Sequence, residues 1–266
     1  MNIQNESLSF TVSLNAAEMM SLIDKKSGKE VLWNGDPTYW AGRNPILFPI
    51  VGSTFDKKIH IKDSIYEMGN HGFARNSVFS LIKHTTDQIV LRLQESEITL
   101  AQYPFKFTLE VSYTLKGSSV LIDYRIINND KEIMPFSFGL HPAFALDDPQ
   151  EAQIEFPINE DYPQLIDQHK ANMNDEFFSV IPTFLTENLR SPYVELHRKD
   201  LKIQVSCEGY RWVAFWKKAK AAFLCIEPWH GHGDFKETTT DFYKREGTIL
   251  LAPRDTYSTS YSISIL

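Results

Sequence analysis

Phe105-Lys106-Phe107-Thr108-Leu109-Glu110-Val111 alternates apolar and polar residues with a period of two. Tyr113-Thr114-Leu115 continues the alternation, Lys116-Gly117-Ser118-Ser119 supplies turn residues, and Val120-Leu121-Ile122-Asp123-Tyr124-Arg125-Ile126 returns it. Successive side chains of a strand point to opposite faces, so this stretch reads as a β-hairpin with one buried face. The signal extends outward in both directions. Residues 78–82 and 89–93 flank His84-Thr85-Thr86-Asp87 as a second hairpin, and residues 201–205 and 212–216 alternate in the same way. Residues 222–226 are apolar without a break, as a strand covered on both faces requires. Residues 248–251, a turn near Pro253-Arg254-Asp255 and residues 257–266 give two more strands. Helical signals are few. Residues 95–102 fit one short helix, whereas residues 159–174 are polar, interrupted by Pro163, and read as loop. No linker or repeat divides the chain, which predicts one domain over residues 1–266, all-β, of sandwich or barrel type. The 18 Phe, 11 Tyr and 5 Trp suit a thick core between sheets.

Composition narrows the function classes. The 266 residues carry 27 Lys and Arg against 34 Asp and Glu, a formal net charge of −7. That balance argues against a general polyanion-binding surface, though not against one local phosphate site. No run of about 18 apolar residues is available to span a membrane. The opening Met1-Asn2-Ile3-Gln4-Asn5-Glu6 lacks a secretory pattern, so a cytoplasmic location is expected. Cys207 and Cys225 both fall in apolar, strand-like runs, which predicts two buried, reduced thiols. There is no phosphate-binding Gly loop, no dinucleotide fingerprint, no nucleophile elbow and no C-x-x-C pair. Basic residues are not interleaved with aromatics in a stripe, so nucleic acid is not an expected partner.

Four segments combine loop chemistry with unusual polar residues. Gly42-Arg43-Asn44-Pro45-Ile46-Leu47-Phe48-Pro49-Ile50-Val51-Gly52 sets Arg43 before a proline-bracketed apolar run. Arg43 is either a surface cation beside an edge segment or a donor fixed on a rigid wall. Gly69-Asn70-His71-Gly72-Phe73-Ala74-Arg75-Asn76 surrounds His71 with small residues, a backbone that a ligand can approach. Phe136-Ser137-Phe138-Gly139-Leu140-His141-Pro142-Ala143-Phe144 puts His141 among apolar neighbours that favour a neutral imidazole. Cys225-Ile226-Glu227-Pro228-Trp229-His230-Gly231-His232-Gly233-Asp234 ends the most apolar run of the chain on Glu227. An acid there is costly unless it is paired or functional, and Trp229 offers an aromatic face of the kind that receives the C–H face of a sugar. The His230-x-His232-x-Asp234 spacing also admits a metal, since residues two apart on an extended segment share a face. Two His, a Glu and an Arg from four segments fit acid–base chemistry on a neutral polar substrate.

Together, in this order, the segments resemble the galactose mutarotase (aldose 1-epimerase) family, in particular its mutarotase-related bacterial branch. The resemblance runs over nearly the whole chain, to Glu246-Gly247-Thr248-Ile249-Leu250-Leu251-Ala252-Pro253. It implies a large antiparallel β-sandwich and the interconversion of α and β anomers of an aldose, with no metal or organic cofactor. It also implies Glu227 as base on the C1 hydroxyl, His141 as acid on the ring oxygen, His71 as a sugar and charge-stabilising contact, and Arg43 as a grip on a ring hydroxyl. The Asp that such proteins commonly use for sugar hydroxyls is not evident; Glu187 and Asp200 are the candidates. His71 to Asn76 also resembles the hexose-6-phosphate 1-epimerases, in which case Arg43 and Arg75 would hold a phosphate as a pair. The alternative for Arg75 is a salt bridge that fixes the His71 loop. A non-catalytic carbohydrate-binding protein, and a metal-assisted enzyme using His230 and His232, are the competing classes. A monomer or a homodimer joined through edge strands and the Tyr-rich end is expected.

Overall fold

The long hairpin sits at the centre of the computed structural model of the chain, which describes residues 1–266. Phe107–Lys116 and Ser119–Asn128 run antiparallel with Lys116 opposite Ser119. Gly117, at φ +58°, takes the first central position of the two-residue turn, a place that favours glycine. Val120, Ile122, Tyr124 and Ile126 are buried while Asp123 and Arg125 are exposed, so the alternation in the sequence is the alternation of faces.

The hairpin belongs to a nine-stranded sheet. On one side lie Gln88–Gln94 and then Ser80–His84 at the edge. On the other side comes Thr256–Ile265, followed by Leu201–Ser206, Tyr193–Arg198, Gln153–Glu155 and Lys170–Asn172. Thr256–Ile265 thus joins two four-stranded halves, pairing with Ser119–Asn128 on one flank and Leu201–Ser206 on the other. The Tyr-rich end is therefore an interior strand of the sheet rather than an edge strand, paired along Ser119–Asn128 and, over residues 263–265, with Leu201–Ser206.

The second sheet runs Phe184–Glu187, Trp212–Trp216, Phe223–Trp229, Gly139–Leu140 and Ile46–Leu47, and Ala143–Ala145 also pairs with Phe223–Trp229. All seven residues of Phe223–Trp229 are buried, as its unbroken apolar run requires. Side chains of both sheets merge in one core of 60 buried residues, the mark of a β-sandwich. Phe156 meets Phe215 at 6.0 Å between ring centroids, Tyr124 meets Phe138 at 4.9 Å, and Phe48 meets Phe107 at 5.1 Å. No helix is long and apolar enough to cross a membrane.

The short helix forms over Glu97–Gln102, where Ser96 and Thr99 cap its first turn reciprocally. Other expectations need correction. Residues 159–174 are not all loop: Lys170–Asn172 adds an edge strand because Ala171, buried, pairs with Ile154. Helix Asp175–Val180 follows, its Asn174 side chain accepting from Phe177 N, and its six residues are too few to show a helical period. Asn2–Gln4, Leu8–Val12 and Met19–Asp24 form a separate three-stranded sheet. Both cysteines are free and buried, as expected.

Phe215 is fully buried and touches both Phe156 of the large-sheet side and Phe184 of its own sheet. Phe215→Ala is expected to cost about 3–5 kcal/mol, read as a fall in the urea midpoint at unchanged slope. A loss within about 0.5 kcal/mol, the range for surface substitutions, would show that the two sheets are not coupled through this ring.

Candidate active site

Strand register assembles the site. Trp212–Trp216 pairs with Phe223–Trp229 so that Trp212 faces Trp229, Ala214 faces Glu227 and Trp216 faces Cys225. On the other flank Gly139 faces Trp229 and Ala143 faces Cys225. Those two pairs bracket His141 and bring it opposite Glu227. Side chains opposite one another in antiparallel strands project to the same face. One face of this sheet therefore carries Trp216, Glu227, His141 and Trp229 together, while Val213, Phe215 and Ile226 point into the main core. Ala214 beside Glu227 leaves the floor low. Gly139 is glycine for a steric reason, since a Cβ there would lie 2.7 Å from Trp229 Cδ1.

Above this face opens a cavity of about 430 Å³, lined by Trp40, Gly52, Asn70, His71, Arg75, His141, Thr183, Trp216, Glu227 and Trp229. That size lies in the range of small-molecule sites, about 300–1,000 Å³. His141 Nε2 and Glu227 Oε2 are 3.3 Å apart. The Glu227 side chain is only 1% exposed and Oε2 has no hydrogen-bond partner; His141 Nδ1 has none either. Burial pushes the Glu227 carboxyl well above its usual range, partly countered by the Arg75 cation. Burial pushes His141 well below its usual value, helped by His71 and Arg75. Desolvation thus drives both partners of the pair toward neutrality. The desolvating walls are aromatic: Trp40 lies over the His141 ring at 4.9 Å, and Trp216 meets it edge-on at 5.6 Å.

His71 reaches the cavity from a left-handed backbone position, φ +64°. Its neighbour Gly72 lies so close to Phe48 that a Cβ would stand 2.3 Å from the Phe48 carbonyl oxygen. The Gly52 N–H donates to His71 Nδ1 at 3.0 Å. A backbone N–H can only donate, so Nδ1 is unprotonated and the ring proton is on Nε2. Burial, then Arg75, lower the His71 pKa to about 3, which makes the ring a fixed neutral donor. Arg75 lies on the short 3-10 turn Ala74–Asn76, half-buried. It forms none of the ion pairs or side-chain hydrogen bonds of the protein, so the expected salt bridge fixing the His71 loop is absent. Its guanidinium is left to the cavity and to the fields of Glu18 and Glu227.

Arg43 requires a correction, because it does not line the cavity. Its Nη1 donates to the carbonyls of Met20 at 2.9 Å and Trp33 at 3.4 Å, and its backbone N–H donates to Glu18. It braces the loop that holds Trp40, whose carbonyl in turn accepts from Trp33 Nε1. It therefore cannot share a phosphate with Arg75. Glu187 and Asp200 are also elsewhere, paired with Arg211 and Lys29 respectively. The His230-x-His232-x-Asp234 side chains do not converge on a metal. His230 stacks on Tyr210 and meets Thr259 Oγ1, His232 stacks on Phe235, and Asp234 pairs with Arg245 at 2.6 Å. Trp229 lines the cavity with its indole N–H donated to the Leu140 carbonyl. Trp40, Trp216, Asn70 and Thr183 were not picked out from the sequence. Asn70 adjoins His71, and Trp216 ends a strand that the alternation did identify.

The family model for aldose 1-epimerase matches residues 1–241. The protein LacX of Lactococcus lactis subsp. lactis is similar in its chromosomal form, at 29% identity covering 99% of this chain and 98% of that protein. Its plasmid form is 28% identical over the same shares. Among solved structures, a galactose mutarotase-like protein from Lactobacillus casei superimposes with a TM-score of 0.92 at 24% identity, covering 100% of this chain and 99% of that one. A galactose mutarotase related enzyme from Lactobacillus acidophilus gives 0.89 at 26% identity, with 100% and 97% covered.

Burial of these two titratable groups in neutral form makes stability depend on pH. The unfolded chain protonates His71 from its ordinary 6.5, whereas the folded chain resists down to about 3. The neutral ring therefore supports folding fully above pH 6.5 and loses that contribution as pH falls toward 3. His71→Asn keeps an acceptor for Gly52 and tolerates the left-handed backbone. It should lose less melting temperature than wild type between pH 7 and 4.5; equal losses would refute the buried neutral ring. For Glu227 the sign is opposite. The folded state holds its proton where the unfolded chain has given it up, so stability falls as pH rises above 4.5. Glu227→Gln should melt at or above wild type at pH 7, with a gap that widens from pH 4.5 upward, and a variant that melts lower at pH 7 would contradict this.

Proposed function

Because this chain belongs to the aldose 1-epimerase family, we propose that it interconverts the α and β anomers of a hexose or related aldose by acid–base opening and closing of the ring. The observation that carries this reading is the opposed pair His141 and Glu227, 3.3 Å apart, buried and otherwise unpartnered at the bottom of a sugar-sized cavity. A structural ion pair would be satisfied by its surroundings, and a buried acid left open to a cavity is instead available to a substrate.

The proton balance fits. In the reactive form the Glu227 carboxylate takes the proton of the C1 hydroxyl, and protonated His141 gives its proton to the ring oxygen as the C1–O5 bond breaks. The pair is then neutral on both sides, which is the state that burial favours, and the open aldehyde rotates about C1–C2. Closure on the other face reverses both transfers. No net charge develops, so the site needs no strong counter-ion. Arg75 favours the carboxylate form of Glu227 at the start of the cycle. The Nε2–H of His71 donates to a sugar oxygen, Arg75 binds a hydroxyl or a phosphate oxygen, and Trp229, with Trp40 and Trp216, faces sugar C–H groups. With Arg43 committed to backbone carbonyls, a 6-phosphate would have Arg75 as its single cavity arginine, which favours a free aldose over the phosphorylated one. The location we propose is cytoplasmic, and the chain acts as one domain.

Anomer exchange followed by saturation-transfer NMR tests this on glucose, galactose and their 6-phosphates against a buffer blank. Wild type should accelerate exchange, and Glu227→Gln should lose about 10²–10⁴-fold of the acceleration. A sugar that binds without any acceleration would transfer the protein to the non-catalytic carbohydrate-binding class.

A further inference from the structure

Beside the His141–Glu227 pair, buried behind the cavity wall rather than lining it, lies a third reactive side chain that proton exchange does not use. Cys225 and Glu227 are two apart on Phe223–Trp229 and so share a face. One ligand atom from each of His141, Cys225 and Glu227 lies within 4.8 Å of the other two. Glu227 Oε2 is buried without a hydrogen-bond partner, and its side chain is only 1% exposed. Leaving such an atom unsatisfied is costly, and here it belongs to a cluster that includes a thiol.

We propose that His141, Cys225 and Glu227 form a capture site for a thiophilic divalent cation, with zinc as its representative, and that occupancy stops anomer exchange. The second half rests on the proposed epimerase reading; the first does not. An imidazole nitrogen, a thiolate and a carboxylate oxygen with a fourth position open to the cavity make a typical three-ligand zinc set. Around a tetrahedral ion bonded at about 2.0–2.1 Å, nitrogen and oxygen donors stand about 3.3 Å apart, the separation found between His141 Nε2 and Glu227 Oε2. With metal–sulfur bonds of about 2.3 Å, a sulfur within 4.8 Å of the other two atoms has at most about an ångström to travel to complete the set. Charge also closes. Zinc displaces one proton from the thiol and one from the carboxyl, both released to water, and the two anions cancel the ion's charge. The neutral product suits the apolar box of Trp33, Ala143, Ala221 and Phe223 around Cys225, with Trp40 and Trp216 at its side. Calcium and magnesium, which seek six or more oxygen ligands, do not fit. The acid and base would then be metal ligands and unable to exchange protons with a sugar.

Titration with Co²⁺ alone reads the site directly, because a cobalt–thiolate bond gives a charge-transfer band in the near ultraviolet. Wild type should bind one ion with that band, zinc should displace it, and magnesium should not. Cys225→Ala should lose the band, with Cys225→Ser as the variant that preserves shape, while Cys207→Ala should keep it. A second cluster, Glu155, Glu195 and His197, has no sulfur and cannot produce the band. In the NMR assay zinc should abolish wild-type exchange and a chelator restore it, whereas Cys225→Ala should exchange normally and need roughly 10–100-fold more zinc for inhibition. Absence of the band in wild type, or its persistence in Cys225→Ala, overturns the site. Binding that leaves exchange untouched overturns the inhibition. If no sample exchanges any sugar, the epimerase reading fails, and the cobalt spectrum still decides the metal site.

Discussion

The hydrogen-bonded register of Phe223–Trp229 between its two neighbours is the constraint on which the site depends. The pairs Gly139–Trp229 and Ala143–Cys225 leave His141 nowhere to lie except across from Glu227. The pair Ala214–Glu227 on the opposite flank puts a methyl group where a larger side chain would fill the cavity. Strand pairing is cooperative over several residues, and a slip of one residue would send Glu227 into the phenylalanine core and Ile226 into the cavity. The chemistry is therefore fixed by backbone geometry that stability independently demands.

Placing a carboxyl on a fully buried strand, with an imidazole opposite it, has an electrostatic consequence. The tryptophans that enclose His141 remove water from both groups, and desolvation opposes charge on either. Arg75, unpaired within the protein, supplies a countervailing field that favours the Glu227 carboxylate. Burial thus favours the neutral pair, and the Arg75 cation opposes that preference at Glu227. A single backbone donor, the Gly52 N–H, fixes the His71 tautomer.

Much of this was legible in the sequence, for identifiable reasons. Period-two alternation found the long hairpin because one face of that sheet meets solvent, and the unbroken run at 222–226 found the strand buried on both faces. Glu227, His141 and His71 stood out because polar groups beside apolar runs or small residues are costly without a use; Arg75 entered through the resemblance to hexose-6-phosphate 1-epimerases; all four line one cavity. Arg43 stood out for the same reason and misled, because its use is internal: backbone carbonyls of a loop satisfy it, and composition cannot distinguish a carbonyl from a ligand. Trp40 and Trp216 were invisible as site residues because tryptophans in a chain rich in aromatics look like core. The edge strand at Lys170–Asn172 was missed because three residues are too few to show a period.

The place of Thr256–Ile265 has a consequence for how the protein is made. Ser119 and Ser264 meet at 2.7 Å although 145 residues separate them. During vectorial synthesis both four-stranded halves of the large sheet emerge before the strand that joins them. Each then presents a long unpaired edge, on Ser119–Asn128 and on Leu201–Ser206, of the kind that recruits strands from other chains. Closure depends on contacts between distant parts of the sequence, which are slow to form. The large sheet thus passes through an adhesive interval that lasts until one alternating segment of serines, tyrosines and isoleucines finds the gap between two waiting edges.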